Sequence, residues 1–192
     1  MRLFLGVELD AAQRGACAKA AGDLQRQLSG LRRFSVRWIP EENLHVTLWF
    51  LGETKEEPAE RLMDALRSAW HVEPFDLTIA GAGAFPPSGP PRTVWFGVTE
   101  GGDSLAETYR DLAARFAPLG YEAERRPYHP HVTIGRVKEA DRVGSRKARD
   151  VLRQLVVRAG PLRVTAVTLF ESRLSPQGAR YEPLLRVPLK GC

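Results

Sequence analysis

The chain contains one short phrase twice: His-Val-Thr followed by a branched aliphatic residue occurs at 45–48 and again at 131–134. Each copy lies in an apolar run rich in β-forming residues and has a glycine within four residues of its end. Alternate residues of a strand point to the same face. Each copy therefore presents one imidazole and one hydroxyl together, and the apolar residues between them face the opposite side, where we expect a core.

The repetition of this phrase carries more weight than either copy. A single histidine on a strand is most often a structural residue with a hydrogen bond of its own. Two copies with the same valine and the same type of following residue favour a functional pair, in which one half-site is built twice. Two imidazoles, each with its own hydroxyl, supply the acid and the base that in-line attack on a phosphodiester requires.

Hydrophobic periodicity divides the chain into alternating strands and helices. Turn-forming residues separate them, and the run Pro86-Pro87-Ser88-Gly89-Pro90-Pro91 is the best candidate for a break between two halves. The third helix is expected to be capped by Asp103 or Ser104, with Glu107 completing a capping box with Ser104. The predicted strands are 2–9, 35–39, 44–51, 75–84, 93–98, 131–137, 162–170 and 181–189, and the other predicted helices are 11–28, 58–70 and 147–157.

Strand–helix–strand–helix runs occur in both halves, and each half carries one phrase. This pattern predicts an α+β fold with two mainly antiparallel sheets, helices packed outside them, and a central cleft that holds both imidazoles. We expect residues 1–192 to form one domain made of two similar lobes. The alternative, a doubly wound parallel sheet, lacks its usual glycine-rich phosphate loop after the first strand, where residues 9–12 read Leu-Asp-Ala-Ala.

Composition and charge are compatible with several classes of partner. The net charge of +5 and the pI of about 9.6 suit a phosphate-bearing ligand without identifying one. The two cysteines, Cys17 and Cys192, form neither a disulfide framework nor a metal-ligand spacing, which favours a reducing cytoplasm. The apolar start of the chain is too short for a signal peptide. No stretch approaches the about 20 apolar residues of a membrane helix, so no membrane partner is expected.

The two histidines are the candidate catalytic residues. With an ordinary pKa near 6.5, such a pair can hold one proton between its members near neutral pH. His45 and His131 can thus accept a proton from water and donate one to a departing oxygen. Thr47 and Thr133 can donate hydrogen bonds to the non-bridging phosphate oxygens, where negative charge collects. This division of labour needs neither a metal nor a cofactor.

Arginines beside the second phrase are the candidate phosphate ligands, because a guanidinium forks onto phosphate oxygens. Arg136 and Arg126 lead, although each could equally be a solvated surface residue. The step from His131 to Arg136 is odd, which points their side chains to opposite faces unless a bulge or strand end at Gly135 corrects it. Gly135 itself is expected on the histidine face, where it leaves room for a ligand.

Other residues near the phrases have two interpretations each. Trp49 shares the nominal face of His45 and could stack a base, but a core position is favoured. Tyr128 has the same ambiguity, and Arg92 is a weaker phosphate candidate. His129 and His131 form an H-x-H pair, yet no cysteine or acidic cluster beside them completes a metal shell. His129 is expected to orient its loop or to make a structural hydrogen bond.

These phrases, with their flanking residues, resemble the two-histidine (2H) phosphoesterase superfamily, and within it the bacterial and archaeal RNA 2′,3′-cyclic phosphodiesterases, also called 2′-5′ RNA ligases. The resemblance covers nearly the whole chain. It rests on NLHVTLWFLG at 43–52, RPYHPHVTIGR at 126–136 and RLFLGV at 2–7, with ESRL at 171–174 and GARY at 178–181 also fitting.

The resemblance implies a bilobal fold with a pseudo-two-fold axis and one histidine from each lobe. It implies hydrolysis of a terminal 2′,3′-cyclic phosphate to a 2′-phosphate, with His45 protonating the leaving oxygen and His131 activating water. Arg136 is expected on the phosphate. The residues alone do not assign the two histidine roles, since the half-sites look alike.

Two alternatives stay open from the sequence. The same groups could run the reverse reaction, in which an RNA 5′-hydroxyl replaces water and a 2′-5′ linkage forms. A nucleotide- or RNA-binding module could also use the cleft without turnover. The expected partners are RNA ends or small cyclic nucleotides, with no obligate protein partner, and the chain is expected to be a monomer.

Overall fold

The structure is a computed structural model that describes residues 1–175 and 178–191. Its strands and helices alternate along most of the chain. The strands are β1 (Arg2–Glu8), β2 (Phe34–Trp38), β3 (His45–Glu53), β4 (Phe75–Phe85), β5 (Thr93–Glu100), β6 (His131–Ala140), β7 (Arg158–Val164), β8 (Ala166–Ser175) and β9 (Gly178–Pro188). The α-helices are α1 (Ala11–Leu28), α2 (Glu56–Arg67), α3 (Gly102–Phe116) and α4 (Arg142–Gln154), and single 3-10 turns lie at Glu41–Asn43 and Ala117–Leu119.

All strand pairs in the described residues are antiparallel, and the strands form one continuous sheet in the order β7-β4-β5-β6-β3-β1-β8-β9, with β2 also paired to β6. The α+β prediction is confirmed. The expectation of two separate sheets is wrong in one respect: β3 and β6 join the halves through the pair Val46–Val132. Past this pair β6 is paired with β2 instead of β3, so the halves diverge and a groove opens between them.

The two halves have the same strand order outward from the join. In one half β6 is followed by β5, β4 and β7, and in the other β3 is followed by β1, β8 and β9. The proline-rich run at 86–91 is not the break between them. It closes a hairpin inside one half, because Phe85 at the end of β4 pairs with Thr93 at the start of β5. Each half instead combines strands that are distant in sequence, as β1 pairs with β8.

The helices cover the sheet in pairs. Helices α1 and α4 pack on the half containing β4 and β7, and α2 and α3 pack near β3 and β9. Helix α1 has the predicted bounds. It begins at Ala11 because Asp10 caps it, accepting a hydrogen bond from the Gln13 backbone N–H at 2.7 Å. Its buried stripe includes Cys17, Leu24 and Leu28. Cys17 carries a free thiol, and Cys192 lies outside the described residues.

Several local predictions need correction. Helix α4 begins five residues before the predicted start, because Asp141 supplies a cap that accepts from the Gly144 N–H at 2.6 Å. The capping box predicted for α3 is wrong: Gly101 in the left-handed region is the cap residue, with no side-chain hydrogen bond there. The predicted strand 162–170 is two strands, β7 and β8, separated at Thr165. In the described residues, no helix has both the length and the apolar character needed to cross a bilayer.

Candidate active site

The two H-x-T phrases lie on the strands that join the halves. Val46 and Val132 are fully buried at the join, and the histidine and threonine beside each valine are partly buried on the opposite face. Extending the antiparallel register by one residue each way brings His45 opposite Thr133 and Thr47 opposite His131. The structure therefore brings the four predicted residues together at one point, with the two imidazoles diagonal to each other, about 7–8 Å apart between backbones in a regular sheet.

Hydrogen bonds hold the His45 ring in one orientation. Its Nδ1–H donates to the Asn43 carbonyl at 2.8 Å, and the Thr47 hydroxyl donates to its Nε2 at 2.9 Å. The carbonyl can only accept, so the neutral ring carries its proton on Nδ1 and leaves Nε2 as the basic atom. Asn43 is itself fixed, because its side-chain amide donates to the Ala179 carbonyl on β9 at 2.7 Å.

His131 is held in the same way. Its Nδ1–H donates to the carbonyl of His129, two residues earlier, at 2.7 Å. Both half-sites thus use the backbone oxygen at position i−2 to fix the ring and direct Nε2 away from the backbone. Of the two roles expected for His129, the structure shows a structural hydrogen bond, and it is made by the backbone carbonyl of His129.

Burial lowers the pKa of both histidines. The pKa of His45 falls from 6.5 to about 4, chiefly by desolvation and also by the nearby His131 and Arg136 charges, while the Asn43 hydrogen bond opposes the shift. The pKa of His131 is lowered by desolvation first and then by the His129 ring, with its backbone hydrogen bond opposing. Both rings are therefore neutral near pH 7 without a ligand.

Aromatic rings form the apolar surroundings that cause this desolvation. On one side, the His45 ring centroid lies 4.8 Å from Phe4 and 5.3 Å from Tyr181. On the other, the His131 ring lies 5.1 Å from Phe85 and 6.2 Å from Trp95. Such walls strengthen the interaction of each ring with a charge placed before it, because little water competes.

The same bulge occurs in both phrases, at the fourth position. The pairing of β1 with β3 skips Leu48, and the pairing of β5 with β6 skips Ile134. An extra residue reverses the alternation beyond it. The bulge predicted near Gly135 is therefore present, and it returns Arg136 to the histidine face, where Arg136 and His45 line the same groove.

The bulge also corrects the prediction for Gly135. This residue faces the core instead of the ligand side, because a Cβ there would lie 2.9 Å from Val94 Cγ2 and against Val36. Its lack of a side chain makes room for Val36, a β2 residue, and so allows β2 to pair closely with β6.

The bulge at Leu48 turns Trp49 into the core, as the favoured interpretation expects, and removes it from the His45 face. Its ring stacks on Tyr109 at 5.0 Å. Tyr128 continues this stack on Tyr109 at 4.8 Å and donates its hydroxyl to the Thr47 carbonyl at 2.9 Å. Tyr128 thereby ties the loop before β6 to the opposite half-site.

The remaining candidates lie elsewhere. Arg126 is exposed in the loop before β6, and within the described residues it forms neither a hydrogen bond nor an ion pair, so its role stays a prediction. Arg92 lines a separate surface depression with Pro86 and Lys138. Among residues 1–175 and 178–191, no group of three potential metal-ligating side chains is arranged around a common point.

A groove of about 670 Å³ runs between the halves from His45 outward. Sequence reasoning gave no role to several of its residues, among them Phe50 and Arg37. Alternation would assign Phe50 to the core face, and only the bulge exposes it. The sequence predicts a strand at Arg37, but it does not show that this strand pairs with β6 and so brings Arg37 to the groove.

Comparison with known proteins agrees with this architecture. A family model described as the 2′-5′ RNA ligase superfamily matches residues 20–175. An RNA 2′,3′-cyclic phosphodiesterase of Methanothermobacter thermautotrophicus is 35% identical over 187 residues, covering 94% of this chain and 95% of that protein. A second enzyme of that name, from Archaeoglobus fulgidus, is 34% identical over 185 residues, covering 96% and 98%.

Solved structures give the same result. A crystal structure of a Thermus thermophilus protein aligns with a TM-score of 0.77 at 27% identity, covering 100% of this chain and 99% of the other. E. coli LigT complexed with 3′-AMP aligns with a TM-score of 0.74 at 27% identity, covering 98% and 97%. This chain belongs to the 2′-5′ RNA ligase superfamily, whose two-histidine phosphoesterase character the sequence already indicated.

Proposed function

We propose that this protein is a hydrolase that opens the 2′,3′-cyclic phosphate at an RNA end to leave a 2′-phosphomonoester, without a metal or cofactor. The observation that carries this proposal is the meeting of two equivalent imidazole–hydroxyl pairs at the Val46–Val132 join. The names of the relatives support the substrate class, since both archaeal enzymes are RNA 2′,3′-cyclic phosphodiesterases.

In the proposed reaction His131 is the base and His45 the acid, following the roles that the resemblance implies. His131 Nε2 takes a proton from water as the water oxygen bonds to phosphorus. The bond from phosphorus to the 3′-oxygen breaks, and His45 Nε2 gives that oxygen its proton. Thr47 and Thr133 hydroxyls donate to the non-bridging oxygens, and Arg136 supplies a guanidinium to the same charge.

The acid role requires His45 to gain a proton when substrate binds. Its pKa of about 4 leaves the free ring neutral near pH 7. A cyclic phosphodiester carries one negative charge, and an anion close to an imidazole stabilises the protonated form and raises its pKa. Substrate binding is therefore expected to bring a proton onto His45 Nε2, and Thr47 then releases its hydrogen bond to that nitrogen.

The test is ring opening of an oligoribonucleotide ending in a 2′,3′-cyclic phosphate, with EDTA present. We expect a 2′-monoester product, and a rate loss of about 10²–10⁴-fold for His45→Ala and for His131→Ala. His71→Ala, which removes an exposed histidine, is the control for loss of any histidine. No ring opening, or equal activity in all three variants, would contradict the proposal.

Two other activities are distinguished by the same assay. Tight binding without product would identify a non-catalytic nucleotide- or RNA-binding module. The superfamily description makes 2′-5′ ligation the second candidate, and adding an RNA with a free 5′-hydroxyl measures joining against hydrolysis.

The wider setting is also a proposal. We propose that residues 1–192 form one domain of two similar lobes, and the equivalent strand order of the halves supports this. We propose that it acts as a monomer in the cytoplasm on RNA ends or small cyclic nucleotides. The crystal structure of E. coli LigT complexed with 3′-AMP supports a nucleotide ligand in this fold.

A further inference from the structure

Two arginines lie directly opposite each other beside the groove. Arg37 on β2 is the Cα partner of Arg136 on β6, both are exposed, and both line the groove. Like charges directly opposite on paired strands destabilise a sheet. Neither side chain has an ion pair or a hydrogen bond among the described residues, so no carboxylate relieves the repulsion. A pair of this kind is stabilised by anionic ligand groups.

The reacting phosphate explains the position of Arg136, but it does not explain the position of Arg37. Arg136 lies close enough to His45 to lower its pKa, which fits a role on the cyclic phosphate. Arg37 is on the next strand, farther from the join, because β2 pairs with β6 only beyond Ile134. A second anionic group of the same ligand would lie there.

The opposite wall of the groove offers an exposed aromatic face. Phe50 is 62% exposed, although a phenylalanine on a central strand would ordinarily be buried. Its ring lies 6.0 Å from Phe4, which in turn lies 4.8 Å from His45. Phe50 thus contacts the ring that lies against His45, and its own exposed ring lines the groove.

The groove as a whole suits a polyanion with planar groups. No aspartate or glutamate is among the described residues that line its 670 Å³, and Arg2 adds a third guanidinium at its edge. Basic side chains that track a backbone, combined with aromatic faces on which bases stack, are the pattern of single-stranded nucleic acid binding.

We propose that this groove binds the RNA strand on the 5′ side of the terminal cyclic phosphate, with Arg37 on a backbone phosphodiester and Phe50 stacked on a base. The proposal rests on the proposed function and names its substrate as an oligonucleotide end in preference to a mononucleotide. Arg136 and the histidines hold the reacting phosphate, and the Arg37–Phe50 strand site adds affinity and orientation for the rest of the chain.

The kinetic test compares 2′,3′-cyclic AMP with di-, tri- and pentaribonucleotides that end in the same cyclic nucleotide. We expect kcat/KM to rise about tenfold or more from the mononucleotide to the longer substrates, the size of effect that one stacked base gives. Arg37→Ala and Phe50→Ala are each expected to remove most of this gain and to change the mononucleotide rate much less. Arg37→Ala also flattens the salt dependence of the oligonucleotide reaction.

Matched controls remove the same kinds of group elsewhere. Arg110→Ala deletes an exposed arginine on α3, and Val156→Ala trims an apolar side chain that is 91% exposed. Both are expected to retain the full preference for the longer substrates. Equal kcat/KM for the mononucleotide and the oligonucleotides in the unaltered protein overturns the strand site while leaving cyclic phosphate hydrolysis standing.

A binding measurement separates the two proposals when no reaction is seen. A fluorescent pentaribonucleotide ending in a 3′-phosphate is titrated with the protein, and its anisotropy gives Kd. We expect Kd to rise about tenfold in Arg37→Ala and in Phe50→Ala. Unchanged Kd values overturn the strand site whether or not the cyclic phosphate is opened, and raised values without catalysis contradict only the hydrolytic function.

Discussion

The desolvation of His45 makes folding stability depend on pH in a way that can be isolated by one substitution. In the folded protein the pKa of this ring is lowered from 6.5 to about 4. The unfolded chain takes up the proton near pH 6.5 and the folded chain does not. The contribution of the neutral buried ring is therefore complete above pH 6.5 and is lost as pH falls from 6.5 towards about 4.

The magnitude follows from the size of the shift. One pKa unit corresponds to about 1.4 kcal/mol, so between pH 7.5 and pH 4.5 the linkage relation gives a loss of about 2.5 kcal/mol in the free energy of unfolding. The ring is partly exposed in the groove, and solvent screening reduces the expected loss to about 2 kcal/mol. The His45→Asn variant has no titrating ring at this position, so its free energy of unfolding should not show this loss between pH 7.5 and pH 4.5.

The assay is urea unfolding followed by tryptophan fluorescence at pH 7.5 and 4.5, in buffers free of phosphate. We expect the unaltered protein to lose about 2 kcal/mol more than His45→Asn between the two pH values. His71→Asn, which removes an exposed ring, controls for histidine loss. If the unaltered protein and His45→Asn lose the same stability within about 0.5 kcal/mol, the ring is not desolvated, and the reasoning about its protonation fails.

Three further outcomes follow from the same structure. Tyr128→Phe removes the hydroxyl that donates to a backbone carbonyl of the opposite half-site and should lower unfolding free energy in urea by about 1–2 kcal/mol, whereas Tyr109→Phe, whose hydroxyl accepts an exposed bond, should lower it less. Gly135→Ala adds a methyl group against packed valines and is expected to reduce stability by about 1–3 kcal/mol, while Gly30→Ala, with open space around it, is expected to be neutral; equal effects would contradict the packing assigned to Gly135. In a pH series, the fall of kcat/KM with rising pH should already begin below pH 6.5, because the pKa of each free histidine is lowered from that value, and the kcat profile should lie at higher pH because the bound anion raises both pKa values.

The chemical groups of the site could be predicted from the sequence because they depend only on the alternation of side chains along a single strand. Residues i and i+2 share a face, so the pairing of His45 with Thr47, and of His131 with Thr133, needs no knowledge of the rest of the fold. The same rule placed Val46 and Val132 in the core. The start of α1 is equally predictable, because the cap requires only the Asp10 side chain and the first turn of the helix.

The rules failed where cross-strand register takes over. Trp49, Phe50, Gly135 and Arg136 all lie beyond a bulge, and a bulge exists only relative to the partner strand. Simple alternation puts all four residues on the wrong face, and the bulge or strand end expected at Gly135 recovers only Arg136. The proline-rich run at 86–91 failed for a related reason, since a hairpin and a lobe boundary have the same turn composition.

The sequence by itself determined that this protein carries two imidazole–hydroxyl pairs suited to a phosphate. The spacing of two residues along a strand is enough to place each imidazole beside its hydroxyl. Only the tertiary structure decided that the pairs meet, through Val46 and Val132, and that β2 then replaces β3 beside β6. That exchange opens the groove and brings Arg37 beside Arg136. These relations depend on contacts between strands far apart in the chain, whose energies no local stretch of sequence specifies.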